Sequence, residues 1–377
     1  MKLKIGITRR EYINVVDGVN RFVFTLADGL SSLGHDVHVI SYSFRDIQRS
    51  EMSAYIKNVF GYQGSIYTLT EEATILNWPK LALTWLVEGS KLVDRLGLDA
   101  VILSGVVPLW TKALKIAANH GIYAGDFTHK KSLRQLLFLQ VARNLYKHSV
   151  DLCFCCSSQL QREITELIGV GSVLVPLPVN LQLFRSEPVH RRDSTVVHVG
   201  TRINKNAELS VRSIEILTQK MNVDAKLVIV GSSTPYIEKL MSRYKHLVPK
   251  HLEFVGPYPL FSPDKKTIPD ILAHSRAFIL PSKHEGLPYS VLEAFASGLP
   301  VVVSNAVPSD MVLDGFNGFR VGDFDPNLFA QKLAILFTND ILWTKISKNA
   351  LKTSRSYDHI KIAKYYETAL KRLKCTS

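Results

Sequence analysis

The feature that most limits the fold of this chain is a strand–helix alternation that begins twice. It first runs from the strand KLKIGIT through the helical stretch VDGVNRFVFTLADGLSSLGH to the strand DVHVISYS. Beyond a proline-rich linker at 180–194, it restarts with the strand TVVHVG, the helix NAELSVRSIEILTQK and the strand AKLVIVG. Such alternation is typical of doubly wound α/β domains built on parallel sheets. We therefore predict two such domains in tandem, with a ligand-binding cleft between them.

The length of the chain supports this division, because 377 residues exceed what one hydrophobic core usually serves. We place the N-terminal domain at 1–183 and the C-terminal domain at 184–355. Within the first, KLALTWLVEGSKLVDRLG (80–97) and PLWTKALKIAANHG (108–121) have helical patterns. Residues 45–78 carry no clear pattern.

The net charge of +13 is concentrated in two segments. Residues 101–150 hold seven Lys and Arg against one acid, and residues 345–374 hold nine against two. Such clusters suggest an anionic partner, either nucleic acid, phospholipid or a phosphorylated substrate, or else an ordinary solvated surface. We expect no nucleic acid, since the sequence shows no motif that reads it.

The sequence predicts a cytoplasmic protein with no metal site. The start, MKLKIGITRR, lacks the apolar stretch of a signal peptide, and the run Ala100–Trp110 is too short to cross a bilayer. The cysteines of CFCC lack the spacing of a zinc site, so we expect buried free thiols at Cys153, Cys155 and Cys156. No acidic cluster of the D-x-D type is evident at a suitable strand end.

Each half carries a glycine where its first strand turns into its first helix. These glycines are Gly18 and, in HVGTRINKN, Gly200. Such a turn presents backbone N–H groups and the positive end of a helix dipole, which suit phosphate. Arg202 and Lys205 beside the second turn could hold a diphosphate, although they could also be ordinary surface cations. Neither half has a dinucleotide fingerprint or a P-loop.

The stretch HEGLPYSVLEAFASGLPVVVS is the strongest candidate for a ligand site. Pro288 and Gly298 are placed as at the start and just past the end of a helix, which we predict at 288–297. Glu285 precedes this helix, and Glu293 lies about 12 Å further along it. That spacing is too long for paired catalytic carboxylates but suits two hydroxyl-bearing ends of one ligand, with phosphates between. Alternatively, Glu293 is a solvated helix residue and Glu285 a loop charge.

These residues resemble a known family. PSKHEGLPYSVLEAFASGLPVVVSN resembles the signature of glycosyltransferase family 4, retaining enzymes of the GT-B fold, with two glutamates separated by seven residues and a G-x-P-V turn. HVGTRINKN resembles the G-x-R…K segment of that family. The resemblance implies an α/β GT-B fold, in which two Rossmann-like domains face a central cleft. It also implies that a C-terminal helix at 356–377 packs back toward the N-terminal domain.

The resemblance implies a role for each matching residue. Glu285 would contact the donor sugar near the reacting carbon, and Glu293 would bind the ribose hydroxyls. Arg202 and Lys205 would neutralise the diphosphate leaving group. The remaining donor-binding positions would contribute backbone groups or close approach: Gly18, Gly200, Gly286, Leu287, Tyr289 and Ser290.

Two features of the N-terminal domain fit the family pattern less well. The glycine loop often has two adjacent glycines, whereas here it reads Asp17-Gly18, so we expect Asp17 to point away from the diphosphate or to contact the acceptor. A histidine of this domain often touches the sugar in the family. His129, in GDFTHKK, is the candidate by location, with a surface histidine as the alternative.

The resemblance implies a retaining, metal-independent glycosyltransferase with no cofactor. It would move a sugar from a nucleotide-diphosphate donor to a hydroxyl of a glycan, a lipid-linked acceptor or a membrane lipid. The alternatives are a nucleotide-sugar epimerase, another GT-B enzyme such as a phosphorylase, or a non-enzymatic nucleotide-sugar binder. The two basic segments could together form a surface for an anionic membrane, which would make the protein peripheral on its inner face.

Overall fold

The computed structural model describes residues 1–44, 47–70, 78–120, 133–188, 190, 192–260 and 266–376. It divides into two compact units. One comprises Met1–Asn180 together with Asp358–Ser377, and the other comprises Leu181–Tyr357. The chain thus passes from one unit to the other where the proline-rich linker begins, and its final segment belongs to the first unit.

Strands and helices alternate in both units, as the sequence predicts. The strands are β1 Lys4–Tyr12, β2 Asp36–Ser43, β3 Ser65–Thr68, β4 Ala100–Ser104, β5 Leu114–Asn119, β6 Leu152–Cys155, β7 Val173–Leu174, β8 Thr195–Val199, β9 Lys226–Val230, β10 Leu252–Val255, β11 Ala277–Leu280, β12 Val301–Ser304 and β13 Gly318–Val321. The α-helices are α1 Gly18–Ser32, α2 Arg49–Phe60, α3 Trp78–Thr84, α4 Ser90–Leu96, α5 Leu133–His148, α6 Ser158–Ile168, α7 Ala207–Gln219, α8 Pro235–Arg243, α9 Ile268–His274, α10 Tyr289–Ala296, α11 Pro326–Thr338, α12 Asp340–Ser354 and α13 His359–Thr376. A π-helical turn, Trp85–Gly89, joins α3 to α4.

Each unit is built on one sheet, whose paired strands run parallel. The first sheet has the order β3-β2-β1-β4-β5-β6-β7, and the second has the order β10-β9-β8-β11-β12-β13. The strand order reverses between β1 and β4 in the first sheet and between β8 and β11 in the second. In open α/β sheets, ligands bind at the carboxyl ends of the strands beside such a switch point. Each topology therefore indicates one place for a site.

The helix predicted at 108–121 is wrong. Residues Leu114–Asn119 form β5, which pairs with β4 on one side and with β6 on the other. Ile116, Ala117 and Ala118 are all buried. A strand that is covered on both faces has a continuous apolar run rather than an alternating one, so its sequence cannot be told from that of a buried helix.

The final helix, α13, packs on α1 within the first unit. A Cβ added at Gly29 of α1 would lie 2.6 Å from the carbonyl oxygen of His359, so only glycine allows this approach. His359 Nε2 lies 3.1 Å from Asp28 Oδ2. At the other end of the helix, Lys374 Nζ donates to Asp99 Oδ1 at 2.6 Å. These contacts make α13 an integral part of the first unit.

The predicted thiols are buried and free. Cys153, Cys155 and Cys156 lie in the interior of the first unit without a disulfide, and Cys375 is exposed. In the part of the chain that the structure describes, no helix combines the length and the apolar character that a membrane crossing needs.

Candidate functional site

In the second unit, the turn after β8 has a backbone that requires glycine. Gly200 has φ +117°, and a Cβ there would lie 3.1 Å from Cγ of Lys205. A non-glycine residue would be strained at this φ and would also push the lysine away. After the turn, the 3₁₀ helix Ile203–Lys205 leads directly into α7. The glycine therefore allows the chain to fold Lys205 back over the end of β8.

A buried histidine holds this turn in place, and sequence reasoning missed it. His198 Nε2 lies 2.9 Å from the carbonyl oxygen of Gly200, and its Nδ1 lies 2.9 Å from Ser210 Oγ on α7. Because a carbonyl oxygen only accepts, Nε2 carries the proton and Nδ1 accepts from the serine hydroxyl. Burial lowers the pKa of His198 to about 4, so the ring is neutral at physiological pH. The only sequence signal was a polar residue inside an apolar strand.

Lys205 and Glu285 meet at the switch point of the second sheet. Lys205 Nζ donates to Glu285 Oε1 at 2.5 Å, and the two side chains are only 16% and 9% exposed. The loops that carry them are also joined directly, because Lys283 N donates to the carbonyl oxygen of Asn204 at 2.8 Å. Since β8 and β11 are neighbours, two residues that lie eighty positions apart in the sequence become partners.

The predicted helix of the signature stretch is present as α10. It runs Tyr289–Ala296 with Pro288 as its N-cap, and Gly298 follows its end with φ +62°. The N–H groups in the first turn of any helix have no acceptor within that helix, and they face an anion favourably. Leu287 and Ser290 are buried at this end. The turn therefore has the chemistry of a phosphate site.

Glu293 is not a solvated helix residue. It is 2% exposed, and all eight residues of α10 are buried. Carboxylates are rarely fully buried unless they are paired, so the burial of Glu293 excludes the solvated alternative. Glu285 lies in the loop ahead of α10, where its carboxylate is paired with Lys205.

The structure separates Arg202 from this cluster. Arg202 is exposed just ahead of the 3₁₀ helix, and within the described ranges its side chain makes no ion pair. Its guanidinium is therefore available to a ligand but does not contact Glu285. Gly286 lies partly exposed directly after Glu285.

In the first unit, Asp17 has a structural explanation. It is the N-cap of α1, where its Oδ1 accepts from Asn20 N at 2.8 Å. Its Oδ2 accepts from Arg9 Nη2 at 2.8 Å, and Arg9 Nε donates to Asn20 Oδ1 at 2.9 Å. The acid is thus engaged in the glycine loop by a cap and a salt bridge. Gly18 is the first residue of α1.

A pocket lies at the switch point of the first sheet. It is lined by Arg9, Arg10, Val19, Ser104, Gly105, Asn119 and His120. His120 follows β5, with Nε2 3.2 Å from Ser104 Oγ and its ring centroid 3.9 Å from that of Phe22. Burial, followed by the charge of Arg9, lowers the pKa of His120 to about 3. A neutral imidazole therefore stands where the first topology indicates a site.

His129, the histidine that the sequence favoured, lies outside the described residues. Sequence reasoning missed His120 because the segment before it was assigned to a helix. His120 directly follows the buried strand β5 at its carboxyl end, which is where ligands bind in such sheets. A correct strand assignment would therefore have made His120 the candidate.

Two family models match the chain, one in each unit. The model described as "Glycosyltransferase Family 4" matches residues 16–183, and the model described as "Glycosyl transferases group 1" matches residues 193–339. Together they cover most of both units.

Similar proteins include a full-length relative and a better-matched partial one. An uncharacterized glycosyltransferase of Haemophilus influenzae is 22% identical over 95% of this chain and 97% of its own length. The Escherichia coli UDP-Gal:α-D-GlcNAc-diphosphoundecaprenol α-1,3-galactosyltransferase is 38% identical over 86 residues, which span 22% of each chain. Because the second match covers under a quarter of that enzyme, it does not transfer the activity.

Solved structures share the fold over the whole chain. Sucrose-phosphate synthase from Thermosynechococcus elongatus gives a TM-score of 0.79 with 16% identity and covers 100% of both chains. HepE from Anabaena, in complex with UDP and glucose, gives a TM-score of 0.76 with 15% identity and covers 98% of this chain and 100% of that one. At such identities the likeness shows the fold, two parallel-sheet Rossmann-like domains.

Proposed function

Since this chain belongs to glycosyltransferase family 4, we propose that it moves a sugar from a nucleotide-diphosphate donor to an acceptor hydroxyl, with retention of configuration and without a metal ion. The observation that carries the proposal is the contact between Lys205 and Glu285 at the switch point of the second sheet. It joins a fixed cation, a carboxylate and the start of α10 in one place, which suits the diphosphate and sugar of such a donor.

Lys205 is proposed to hold the diphosphate as it leaves. An ammonium group has three N–H donors, and Glu285 accepts one of them, so two remain for phosphate oxygens. Because Glu285 fixes the lysine before the donor binds, little reorganisation is needed when charge develops on the leaving group. Arg202 would add a second cation, and the N–H groups at the start of α10 would add further donors.

The proposed reaction breaks the bond between the anomeric carbon and a diphosphate oxygen. A bond from the acceptor oxygen forms on the same face of the sugar, and the hydroxyl proton leaves with the diphosphate. Glu285 stands next to the lysine that binds the leaving group, so its second carboxylate oxygen is placed to accept from a sugar hydroxyl. Glu293, which is buried on α10, is proposed to bind the ribose of the nucleotide.

The relatives suggest the kinds of donor and acceptor to try first. The Escherichia coli relative is named for a UDP-sugar donor and a diphosphoundecaprenol-linked acceptor, and the Anabaena structure holds UDP and glucose. We therefore propose a UDP-sugar as the donor and a carbohydrate or lipid-linked acceptor.

In the first unit, we propose that His120 takes the sugar-contacting role that the resemblance first gave to His129. His120 lies in the pocket at the switch point, whereas His129 has only its position in the sequence to support it. A neutral imidazole can hydrogen-bond a sugar hydroxyl without attracting water as a cation would.

Release of nucleotide diphosphate from a panel of nucleotide sugars, in the presence of a metal chelator, tests the proposal. We expect release from one donor, and the Glu285→Gln variant should retain the fold but lose most of this turnover. Proton NMR of the product then reports the anomeric configuration. Lys283→Met is a matched control, because Lys283 lies in the same loop with an exposed side chain.

Three results would each contradict part of the proposal. Turnover that disappears with chelator and returns with Mg²⁺ would contradict metal independence. An inverted product would contradict retention. Saturable donor binding without turnover against any acceptor, and without an effect of Glu285→Gln, would favour a nucleotide-sugar binder over an enzyme.

A further inference from the structure

A cluster of apolar side chains is exposed on the helical segment that precedes β4. Leu83, Leu86 and Val87 are 61%, 39% and 42% exposed, and Trp110 in the loop between β4 and β5 is 83% exposed. We call these four residues the apolar patch. Single exposed apolar residues are ordinary, whereas contiguous ones mark an interaction surface.

Trp110 adjoins the helix that carries the other three residues. Its backbone N–H donates to Ser90 Oγ at 2.8 Å, which holds the loop against the start of α4. Leu86 and Val87 follow Leu83 by three and four residues, so these three exposed side chains adjoin one another along the segment. The loop that carries Trp110 is thus held against the segment that carries the other three residues.

The residues of the apolar patch are not part of the hydrophobic core of the first unit. The same helical segment already buries another face, from which Leu81, Trp85 and Leu92 pack into the core of the first unit. Trp85 is fully buried, and its Nε1 donates to the carbonyl oxygen of Arg10 at 3.1 Å. A surface helix ordinarily has one apolar face, and the patch is a second one.

Basic side chains dominate the border of the patch. The exposed charged residues on this segment and loop are Lys80, Lys91, Arg95 and Lys112, against Glu88 and Asp94. Within the described ranges none of the four bases makes an ion pair, whereas Asp94 accepts from Thr111 Oγ1 at 2.6 Å. The border therefore attracts an anionic surface.

We propose that the apolar patch docks this chain on a bilayer that contains anionic phospholipid. Tryptophan favours the boundary between headgroups and acyl chains, where its ring is buried and its N–H stays wet. Leucine and valine beside it add apolar area, and the lysines add electrostatic attraction to the headgroups.

This inference rests on the apolar patch and not on the basic segment 345–374, because that segment is divided between the two units. The part of that segment up to Ser354 lies in α12 of the second unit, and the part from His359 lies in α13 of the first. Docking also goes beyond sugar transfer and does not depend on it.

The test is co-sedimentation with vesicles of phosphatidylcholine containing about one third phosphatidylglycerol, without donor or acceptor. We expect binding at low salt, which Trp110→Ala weakens at least about tenfold and Leu86→Gln/Val87→Gln weakens further. Ile341→Ala is the matched control, since Ile341 is 86% exposed in the second unit and should bind vesicles as the wild type does. Thermal unfolding shows whether each variant is folded.

Brominated acyl chains give a second readout, which reports whether Trp110 itself enters the bilayer. The chain has four tryptophans, of which Trp85 and Trp343 are buried. The fourth tryptophan, Trp78, is present in both proteins, so quenching by brominated lipid should be lower in Trp110→Phe, which keeps an apolar ring at the position, than in the wild type.

Wild-type protein that does not sediment with the vesicles overturns the inference, as does equal binding by the patch variants. Self-association that Trp110→Ala abolishes, without vesicle binding, would show that a second copy of the chain covers the patch instead. Donor turnover on a water-soluble acceptor is measured on the same preparations. It should be unchanged in Trp110→Ala, so a failure of docking is distinguishable from a failure of the proposed transfer.

Discussion

The two units share one plan, a parallel sheet with a switch point at its carboxyl edge, but their switch points differ in chemistry. In the second unit, a lysine and a glutamate form a nearly buried pair beside the start of α10. In the first unit, Arg9 is engaged by Asp17 and Asn20, and the pocket beside it contains a neutral histidine. The second switch point thus presents a cation paired with a carboxylate, and the first presents a neutral imidazole beside two arginines.

Removing the cation of the second unit should have the largest effect. We expect Lys205→Met to lower turnover about 10²–10³-fold, because a fixed charge at a developing anion contributes about 3–4 kcal/mol to transition-state stabilisation. Steady-state release of nucleotide diphosphate measures this, with Lys283→Met as the control. If Lys205→Met stays within twofold of the wild type, the second switch point does not hold the leaving group.

The histidine of the first unit should have the next largest effect. We expect His120→Asn to lower turnover about 10–100-fold, because it loses a hydrogen bond to the sugar without leaving a charge unpaired. His129→Asn should change turnover less than about threefold by the same reasoning. Kinetics of the two variants side by side decide between them, and the reverse order would restore His129 as the functional histidine.

The glycine that shapes the second site should have a smaller effect. Gly200→Ala places a Cβ against Lys205 at a strained φ, which we expect to cost about 1–3 kcal/mol of unfolding free energy and to raise the donor KM about tenfold. Gly256→Ala is the matched control, since a Cβ there meets no atom within 4 Å. If both variants have the wild-type KM, the turn does not position the lysine.

The effect of pH on stability does not depend on turnover at all. His198 has a pKa of about 4 in the folded chain against an ordinary value of 6.5, so between these values only the unfolded chain binds its proton. Stability contributed by this neutral histidine is therefore complete above pH 6.5 and falls by about 1.4 kcal/mol per pH unit below it. Urea unfolding between pH 7 and 5 should show this slope, and His198→Gln should remove it. An equal slope in the variant would show that His198 does not contribute.

The sequence predicted the elements around the second switch point better than those around the first, for a physical reason. Glu285, in the loop ahead of α10, and Glu293, within α10, lie in one continuous stretch, where local helix signals fix their arrangement. The position of Lys205 could also be predicted, because it lies between a strand and a helix that the sequence pattern shows clearly.

The first site could not be predicted in the same way. It depends on β5, whose alanine-rich sequence KALKIAANH does not differ from a helix in pattern. Once that strand was missed, His120 no longer lay at a carboxyl edge, and His129 was preferred. The role of Asp17 depends on its contact with Arg9, which the sequence pattern does not reveal. The exposure of Trp110 is likewise a property of packing alone.

Calorimetry of nucleoside mono- and diphosphate binding to the wild type and to Lys205→Met tests whether Lys205 holds the diphosphate. The base is the one that the donor screen selects, and the buffer contains chelator. We expect that the wild type prefers the diphosphate by at least about tenfold and that Lys205→Met loses this preference while it still binds the monophosphate. A preference that survives in Lys205→Met but is lost in Lys283→Met would contradict the claim that the pair with Glu285 marks the diphosphate site.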